Sequence, residues 1–351
     1  MADWAKAYCA ELDYAHARRA DGPVETVFFG GGTPSLMPAS LIDTILAHID
    51  RLWGLAPAAE ISLEANPMSA AAAHLADLRA VGVTRLSLGV QAFDDAALKK
   101  LGRTHSAQEA QAAFAAAQEI FPRSSFDLIY ARPDQSLAAW RAELSAALAL
   151  GAQHMSLYQL TIEPDTAYAR LHAAGRLLVP DDELSADMYE LTQDLCTAQG
   201  LPAYEISNHA QPGHACRHNM ASWRGGDYIG LGPGAHGRLT GVDEQGAVGR
   251  MATHALRAPA QWLAAVDAQG HGWEEITLLD DASLASEAVM LGLRLGEGIA
   301  LDDLRARGVS LDAARLEAAR QDGLLSGDNT RLQASPQGRL LLDTLIGRLL
   351  V

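Results

Sequence analysis

Cysteine is scarce in this 351-residue chain: there are three, Cys9, Cys196 and Cys216, an odd number set far apart. That excludes a disulfide framework. No two of them lie close enough to form a compact metal motif, so a metal or cluster reading starts with the sequence against it. Positive charge is scarce as well. Lys and Arg number 27 against 43 Asp and Glu, for a net charge of −16, which disfavours nucleic acid and anionic membrane surfaces as partners. A local basic pocket remains compatible with that balance. Long apolar runs are missing too, because charges, Gly or Pro interrupt each one short of a membrane-spanning helix. The opening MADWAKAYCAEL has neither the basic nor the apolar region of a secretory signal. A cytoplasmic protein with no integral membrane segment is expected. What is present is ordinary globular composition, 49% apolar and 20% charged, in a length that suits one large domain plus a small one.

Short β-rich runs alternate with Ala/Leu-rich amphipathic stretches through the first two thirds of the chain. The runs fall at Val24–Phe29, Ile61–Ala65, Arg85–Val90, Ser125–Tyr130 and Met155–Leu160, with helical spacing over 39–53, 70–80, 108–120 and 137–150. The strands read as apolar on both faces, as in a parallel sheet covered by helices. Polar residues recur at the carboxyl ends of successive strands: Gly30–Thr33, Glu64 with Asn66, Gln91, Asp127, and Gln159 to Glu163. That recurrence favours a barrel over a doubly wound sheet, since a barrel assembles its site on that rim.

A further helix over 182–199 leads to a loop rich in His and Cys. Residues 1–240 are thus expected to form the barrel domain and 241–281 an irregular connecting segment. Over 282–351 come three helical stretches, the hairpin-like GLLSGDNTRLQAS and a final helix, the order of a winged helix. That module has nine acidic residues against eight basic ones, and without a basic stripe it reads as a packing or partner module rather than a DNA reader.

The strongest local signal is FFGGGTPS, residues 28–35. Glycines there let a ligand approach the backbone, while the spacing matches neither a Walker loop nor a dinucleotide fingerprint. A tight strand-to-helix turn is the plainer reading. Glu64 ends a strand and can accept from a ribose diol or an amino group; Asn66 is better placed to cap the helix that follows. Asp127 falls inside a strand, where a lone charge is costly, so it meets either a cation (Arg103 is the candidate) or a cationic ligand. The second constellation gathers His209, His214, Cys216, His218 and His236. Its spacing matches no zinc motif. Cys216 or His218 could serve as an axial haem ligand; a polar loop with hydrogen-bonded histidines is the alternative.

Together VFFGGGTPSLM, EANP, RLSLGVQAF, LGRTH, FDLIY, HMSLYQLTIEPDT, YEISNHA, CRHN and GDYIGLGPGAHG closely resemble one family. It is the oxygen-independent coproporphyrinogen oxidase relatives of the radical S-adenosylmethionine (SAM) superfamily, in particular the HemW-type haem chaperones. The segments occur in the family's order over almost the whole chain. The resemblance implies an α/β fold, a partial (βα)6 barrel followed by a small winged-helix-like α+β module. It implies SAM held by Gly31, Gly32, Thr33, Glu64, Gln91, Arg103 and Asp127, with Thr161 and His236 adding backbone contacts. It also implies haem as cargo, with Cys216, His218 and Trp223 as candidates to hold it.

The family motif His-Asn-x-x-Tyr-Trp survives here as His218, Asn219 and Trp223, with Ser222 in place of Tyr. The loop ARPDQS, residues 131–136, departs from Gly-Leu-Pro-Gly-Gln. The family's [4Fe–4S] loop, Cys-x3-Cys-x2-Cys, and its first barrel strand have no counterpart in this sequence. A start assigned beyond them is the simplest account, a cluster-free paralogue the alternative, and an exposed edge at Val24–Phe29 the expected result. The function implied is delivery of haem to haem proteins, respiratory enzymes among them, with no catalytic residue assigned. Oxidative decarboxylation of coproporphyrinogen III in porphyrin biosynthesis is the alternative, and a degenerate barrel that only binds SAM or a partner is a third reading. A homodimer is left open.

Overall fold

The computed structural model describes residues 2–19, 22–242, 246–326 and 330–350. In chain order, α1 (Ala2–His16) precedes β1 (Val24–Phe29), α2 (Ala39–Trp53), β2 (Leu55–Ala65), α3 (Ala72–Ala80), β3 (Arg85–Gln91), α4 (Asp95–Lys100), α5 (Ala107–Ile120), β4 (Arg123–Tyr130), α6 (Leu137–Leu148) and β5 (His154–Gln159). There follow α7 (Ala167–Ala173), α8 (Asp182–Ala198), β6 (Asn208–Ala210), α9 (Arg217–Trp223), β7 (His236–Val242), β8 (Val248–Ala255), α10 (Pro259–Gln269) and β9 (Trp273–Leu278). The chain ends with α11 (Asp281–Arg294), β10 (Ile299–Ala300), α12 (Leu301–Ala306), α13 (Ala313–Gln321), β11 (Leu325–Ser326), β12 (Arg331–Ala334), α14 (Pro336–Leu340) and α15 (Leu342–Leu350).

Helix starts follow the local chemistry. Ser106 and Glu109 form a reciprocal capping box on α5, and Asp94, Ser136, Thr166, Asp181 and Asp280 each accept a backbone N–H of the helix they precede. These elements divide into two compact units. One comprises Phe28–Leu36 and Ile61–Cys216; the other comprises Met1–Val27, Met37–Glu60 and Arg217–Val351.

The first unit is built on a six-stranded sheet in the order β1-β2-β3-β4-β5-β6, in which β2 to β5 run parallel and the three-residue β6 pairs antiparallel with β5. It is the curled half-barrel expected, with β6 an addition that the sequence pattern did not announce. Strand β1 ends the order, with Glu25 exposed and its other side chains half-buried.

The sheet corrects one expectation: its strands are not apolar on both faces. Leu63, Leu86, Leu88, Phe126, Leu128 and Leu157 are each buried on one face, where each contributes about 1.5–3 kcal/mol of hydrophobic stabilisation. Phe114 of α5 meets Phe126 edge-on at 4.8 Å, and Trp140 of α6 stacks on Tyr130 at 5.2 Å. The alternate positions carry Ser62 and Glu64, Arg85 and Ser87, Ser125 and Asp127, and His154 and Ser156. A period-2 alternation therefore gives this sheet a second, polar face.

In the other unit, β7-β8-β9 form an antiparallel sheet. Residues 241–281, expected to be irregular, thus supply two strands and α10; residues 243–245 lie outside the described set. Leu239, Met251, Trp262 and Trp273 form the core here with Ala7 and Ala15 of α1. Within it Glu11 is fully buried, accepting the backbone N–H groups of Gly232 and Gly272, both at 2.7 Å, and the indole N–H of Trp262 at 3.0 Å. The C-terminal module has the expected helices and a small antiparallel sheet, β10-β12-β11; residues 327–329, within the stretch expected to be hairpin-like, lie outside the described residues. Ion pairs Arg238–Glu287 and Arg224–Glu297 join it to β7 and to the end of α9.

Candidate functional site

The turn after β1 departs from ordinary backbone geometry. Gly31 has φ +104°, and Thr33, a β-branched residue, has φ +118°, a region such residues rarely enter and one that marks functional turns. A Cβ on Gly30 would stand 2.9 Å from the Phe28 ring, whereas Gly31 and Gly32 have no atom within 4 Å of that position. Glu64, at the end of β2, accepts the N–H of Gly31 at 3.1 Å. Burial raises the Glu64 carboxyl above the ordinary range, and that hydrogen bond opposes the shift. The 3-10 turn at Pro34–Leu36 is tied to the next loop by the hydroxyls of Ser35 and Ser69, and His74 bonds the Ser35 carbonyl at 2.7 Å. Asn66 caps the following turn, accepting from Met68 N–H at 3.0 Å.

Asp127 lies two strands further on, in β4. Desolvation lifts its pKa to about 6 against the hydroxyl of Ser156, with the charge of Glu64 adding to the rise. Ser87 also donates to it, at 3.4 Å. Behind these runs a polar chain, in which Arg85 donates to Ser125 at 3.3 Å and Ser125 to Ser87 at 3.0 Å. The expected cation does not hold: Arg103 is exposed after α4 and makes no ion pair with Asp127 among the described residues. The guanidinium that acts on Asp127 is that of Arg85. Sequence reading passed over it because Arg85 opens an apolar run; its signal was the spacing of two to Ser87, which puts both on one face. Ser87, Ser125 and Ser156 were missed for the same reason.

The sheet thus gathers Gly31, Glu64, Gln91 (φ +72°) and Asp127 at successive strands. Thr161 is exposed beyond β5. Two partly shielded carboxylates, with no cation in ion-pair contact among the described residues, beside an open glycine turn, fit a ligand with an ammonium, a sulfonium and ribose hydroxyls. The departing loop 131–136 is accounted for structurally: Arg132 pairs with Glu143, which also accepts the Phe93 N–H at 2.8 Å.

The second constellation is less open. Cys216 is 2% exposed. His218, in α9, is half-buried, and burial keeps its imidazole below the ordinary pKa, with Glu60 opposing. Trp223 carries the Arg294 guanidinium over its ring at 5.2 Å. His236 stacks on His254 at 4.3 Å across β7 and β8. In GLGPGAHG, Gly230 serves backbone packing, since a Cβ there would stand 2.1 Å from the His236 carbonyl oxygen. Among the described residues no three His, Cys, Asp or Glu are grouped to hold a metal ion. Of the cysteines present, Cys9 lies in α1, Cys216 is buried, and Cys196 is fully buried in α8, where burial pushes its thiol up to about 12.

Residues 11–144 match the Radical SAM superfamily, and residues 279–341 match the HemN C-terminal domain. The haem chaperone HemW of Mycobacterium tuberculosis (strain H37Rv) is 39% identical over 348 residues, covering 99% of this chain and 86% of the relative. The chain belongs to the HemW family of the radical SAM superfamily. HemW of Escherichia coli K12 is 37% identical over 96% of this chain and 85% of its own length. The mitochondrial radical S-adenosyl methionine domain-containing protein 1 of Bos taurus is 39% identical over 93% of this chain and 76% of its own length. Among solved structures, the radical SAM coproporphyrinogen III oxidase HemN of E. coli superposes with a TM-score of 0.77 at 21% identity, over 97% of this chain and 81% of that one. That likeness bears on the fold, and it is the HemW relatives that share the sequence.

Proposed function

We propose that this chain binds haem and SAM and passes haem to haem-accepting proteins in the cytoplasm, respiratory enzymes among them. The observation that supports this best is the 39% identity to a haem chaperone through 99% of the chain, which takes in both the sheet unit and the C-terminal module. Gly31, Gly32, Thr33, Glu64, Gln91 and Asp127 are the residues proposed to hold SAM, with Arg103, Thr161 and His236 as further contacts. No helix among the described residues is long and apolar enough to cross a membrane. The proposal is of binding and transfer, and no radical step enters it.

Haem, when bound, brings an iron that takes imidazole or thiolate as an axial ligand. Of the three candidates His218 suits that role best. Its depressed pKa leaves an imidazole lone pair free of a proton at neutral pH, Cys216 is buried, and the Trp223 ring is covered by Arg294. Titrating haemin and following the Soret band tests the reading. The parent and Cys216→Ala are expected to bind with a shifted band, and His218→Ala to lose the shift. The loaded chain should then pass its haem to an apo-haem protein. A parent that leaves the band of free haemin unchanged would overturn the chaperone reading.

A further inference from the structure

Arg85 is 3% exposed, and no carboxylate pairs with it among the described residues; its side-chain hydrogen bond is the 3.3 Å contact to Ser125. A buried guanidinium without its own carboxylate is costly and rare. Asp127 is its counterpart, a shielded carboxylate held by the hydroxyls of Ser156 and Ser87 rather than by a cation. The two are joined. Ser125 bonds Ser87 at 3.0 Å, and Ser87 reaches Asp127 Oδ1 at 3.4 Å. Strand register holds the links in place, setting Ser87 beside Ser125 and Asp127 beside Ser156.

Chemistry fixes the direction of this chain at both ends. A guanidinium can only donate, so Ser125 accepts from Arg85 and has its own proton free for Ser87. An ionised carboxylate can only accept, so Ser87 gives its proton to Asp127. Every donor then points from Arg85 toward Asp127, and each bond polarises the next. The other groups that face Asp127 do not supply a cation: Glu64 of β2 is an acid, and Tyr158 of β5 is a phenol whose pKa burial raises. His154, at the start of β5, is held neutral by burial and by the charge of Arg85.

We propose that Arg85 is a positioning residue for the SAM site, which at one remove, through Ser125 and Ser87, keeps Asp127 ionised as an acceptor for the ligand. The inference rests on the reading that Asp127 helps to hold SAM. It accounts together for a buried cation without a carboxylate, a carboxylate without a cation, and the two serines between them.

Calorimetry of SAM binding between about pH 5 and 8.5, on the parent, Arg85→Gln, Arg85→Lys, Ser87→Ala and Asp127→Asn, tests this. Comparing chains at one pH cancels the titration of SAM itself. Without Arg85, protonation of Asp127 should move up by about one pH unit. Arg85→Gln should therefore bind about 10-fold more weakly than the parent at pH 5 and within about twofold of it at pH 8.5. Ser87→Ala should lose affinity in the same pH-dependent way, and Arg85→Lys, which keeps the charge, should fall between Arg85→Gln and the parent. With Asp127 already Asn, Arg85→Gln should have no further effect.

A purely structural Arg85 would weaken binding equally at every pH, and that result overturns the inference. So does an undiminished effect of Arg85→Gln in the Asp127→Asn chain. Should thermal melting show Arg85→Gln unfolded, the Ser87→Ala arm decides by the same criterion. Should the parent bind no SAM, the SAM reading fails, and the unliganded chain decides this one. The pH dependence of the stability gap between Asp127→Asn and its Asp127 counterpart must then move up when Arg85 is replaced by Gln, and an unmoved gap overturns the inference.

Discussion

The carboxylate of Glu64 accepts the backbone N–H of Gly31 at 3.1 Å, so the end of β2 fixes the turn that follows β1. That turn should separate stability from binding. Gly32 has open space where a Cβ would stand, so Gly32→Ala is expected to change unfolding free energy by less than about 0.5 kcal/mol. Gly31, at φ +104°, should cost about 1–2 kcal/mol as Ala. Both variants should weaken SAM binding in calorimetry, and undiminished affinity in both would remove the turn from the SAM site.

The pKa of about 6 at Asp127 gives a pH signature. Its folded value lies above the model-peptide value of 3.8, so between pH 4 and 6 the folded chain binds more protons than the unfolded one. Stability from this group is therefore full below pH 4, falls as pH rises through 6, and is then flat. The cost above pH 6 is about 3 kcal/mol. Asp127→Asn should be more stable than the parent at pH 8, and denaturant midpoints should converge as pH falls to 4. A gap that stays constant with pH contradicts the assignment.

Glu11 accepts from three buried donors, on Gly232, Gly272 and Trp262. Glu11→Ala leaves all three unpaired and should cost about 3 kcal/mol or more, whereas Glu11→Gln, which retains an amide oxygen, should cost about 1 kcal/mol. Thermal or urea unfolding of the pair checks this; equal losses would show that charge, not hydrogen bonding, is what the core uses.

Gly230→Ala drives a Cβ to within 2.1 Å of a backbone oxygen of His236. A loss of about 3 kcal/mol is expected, seen as a lowered urea midpoint. Near-parent stability with impaired haem binding would instead return Gly230 to the ligand.

Much of the alternating strand and helix pattern was legible because the two differ in period. Val24–Phe29 and 39–53 coincide with β1 and α2, and other boundaries fall within a few residues, though β2 begins earlier, at Leu55. The antiparallel sheet β7-β8-β9 was not legible, for a physical reason. Gly237, Gly241 and Gly249 sit in its strands where a Cβ would come within 2.5 Å of Thr253, 2.6 Å of the Arg18 carbonyl and 2.7 Å of Leu278. Close approach thus wrote the strands in residues that read as loop. In the candidate site, strand ends revealed Glu64, Gln91 and Asp127. Arg85 stayed hidden because it stands at the other end of its strand, and its link to Asp127 runs through two serines that composition gives no reason to single out.

The wide sequence separation around Glu11 has a consequence in time. Its partners lie 221 and 261 residues further along the chain. At ribosomal rates of about 5–20 residues per second, the helix bearing Glu11 waits on the order of 10 to 50 s for them. For that interval the apolar side of a nascent helix and an unmatched carboxylate stand open to whatever the cell offers. The residues of α1 are enclosed only when those later partners emerge, and destabilising changes in α1 should lower yield during synthesis more than they lower the stability of the finished molecule.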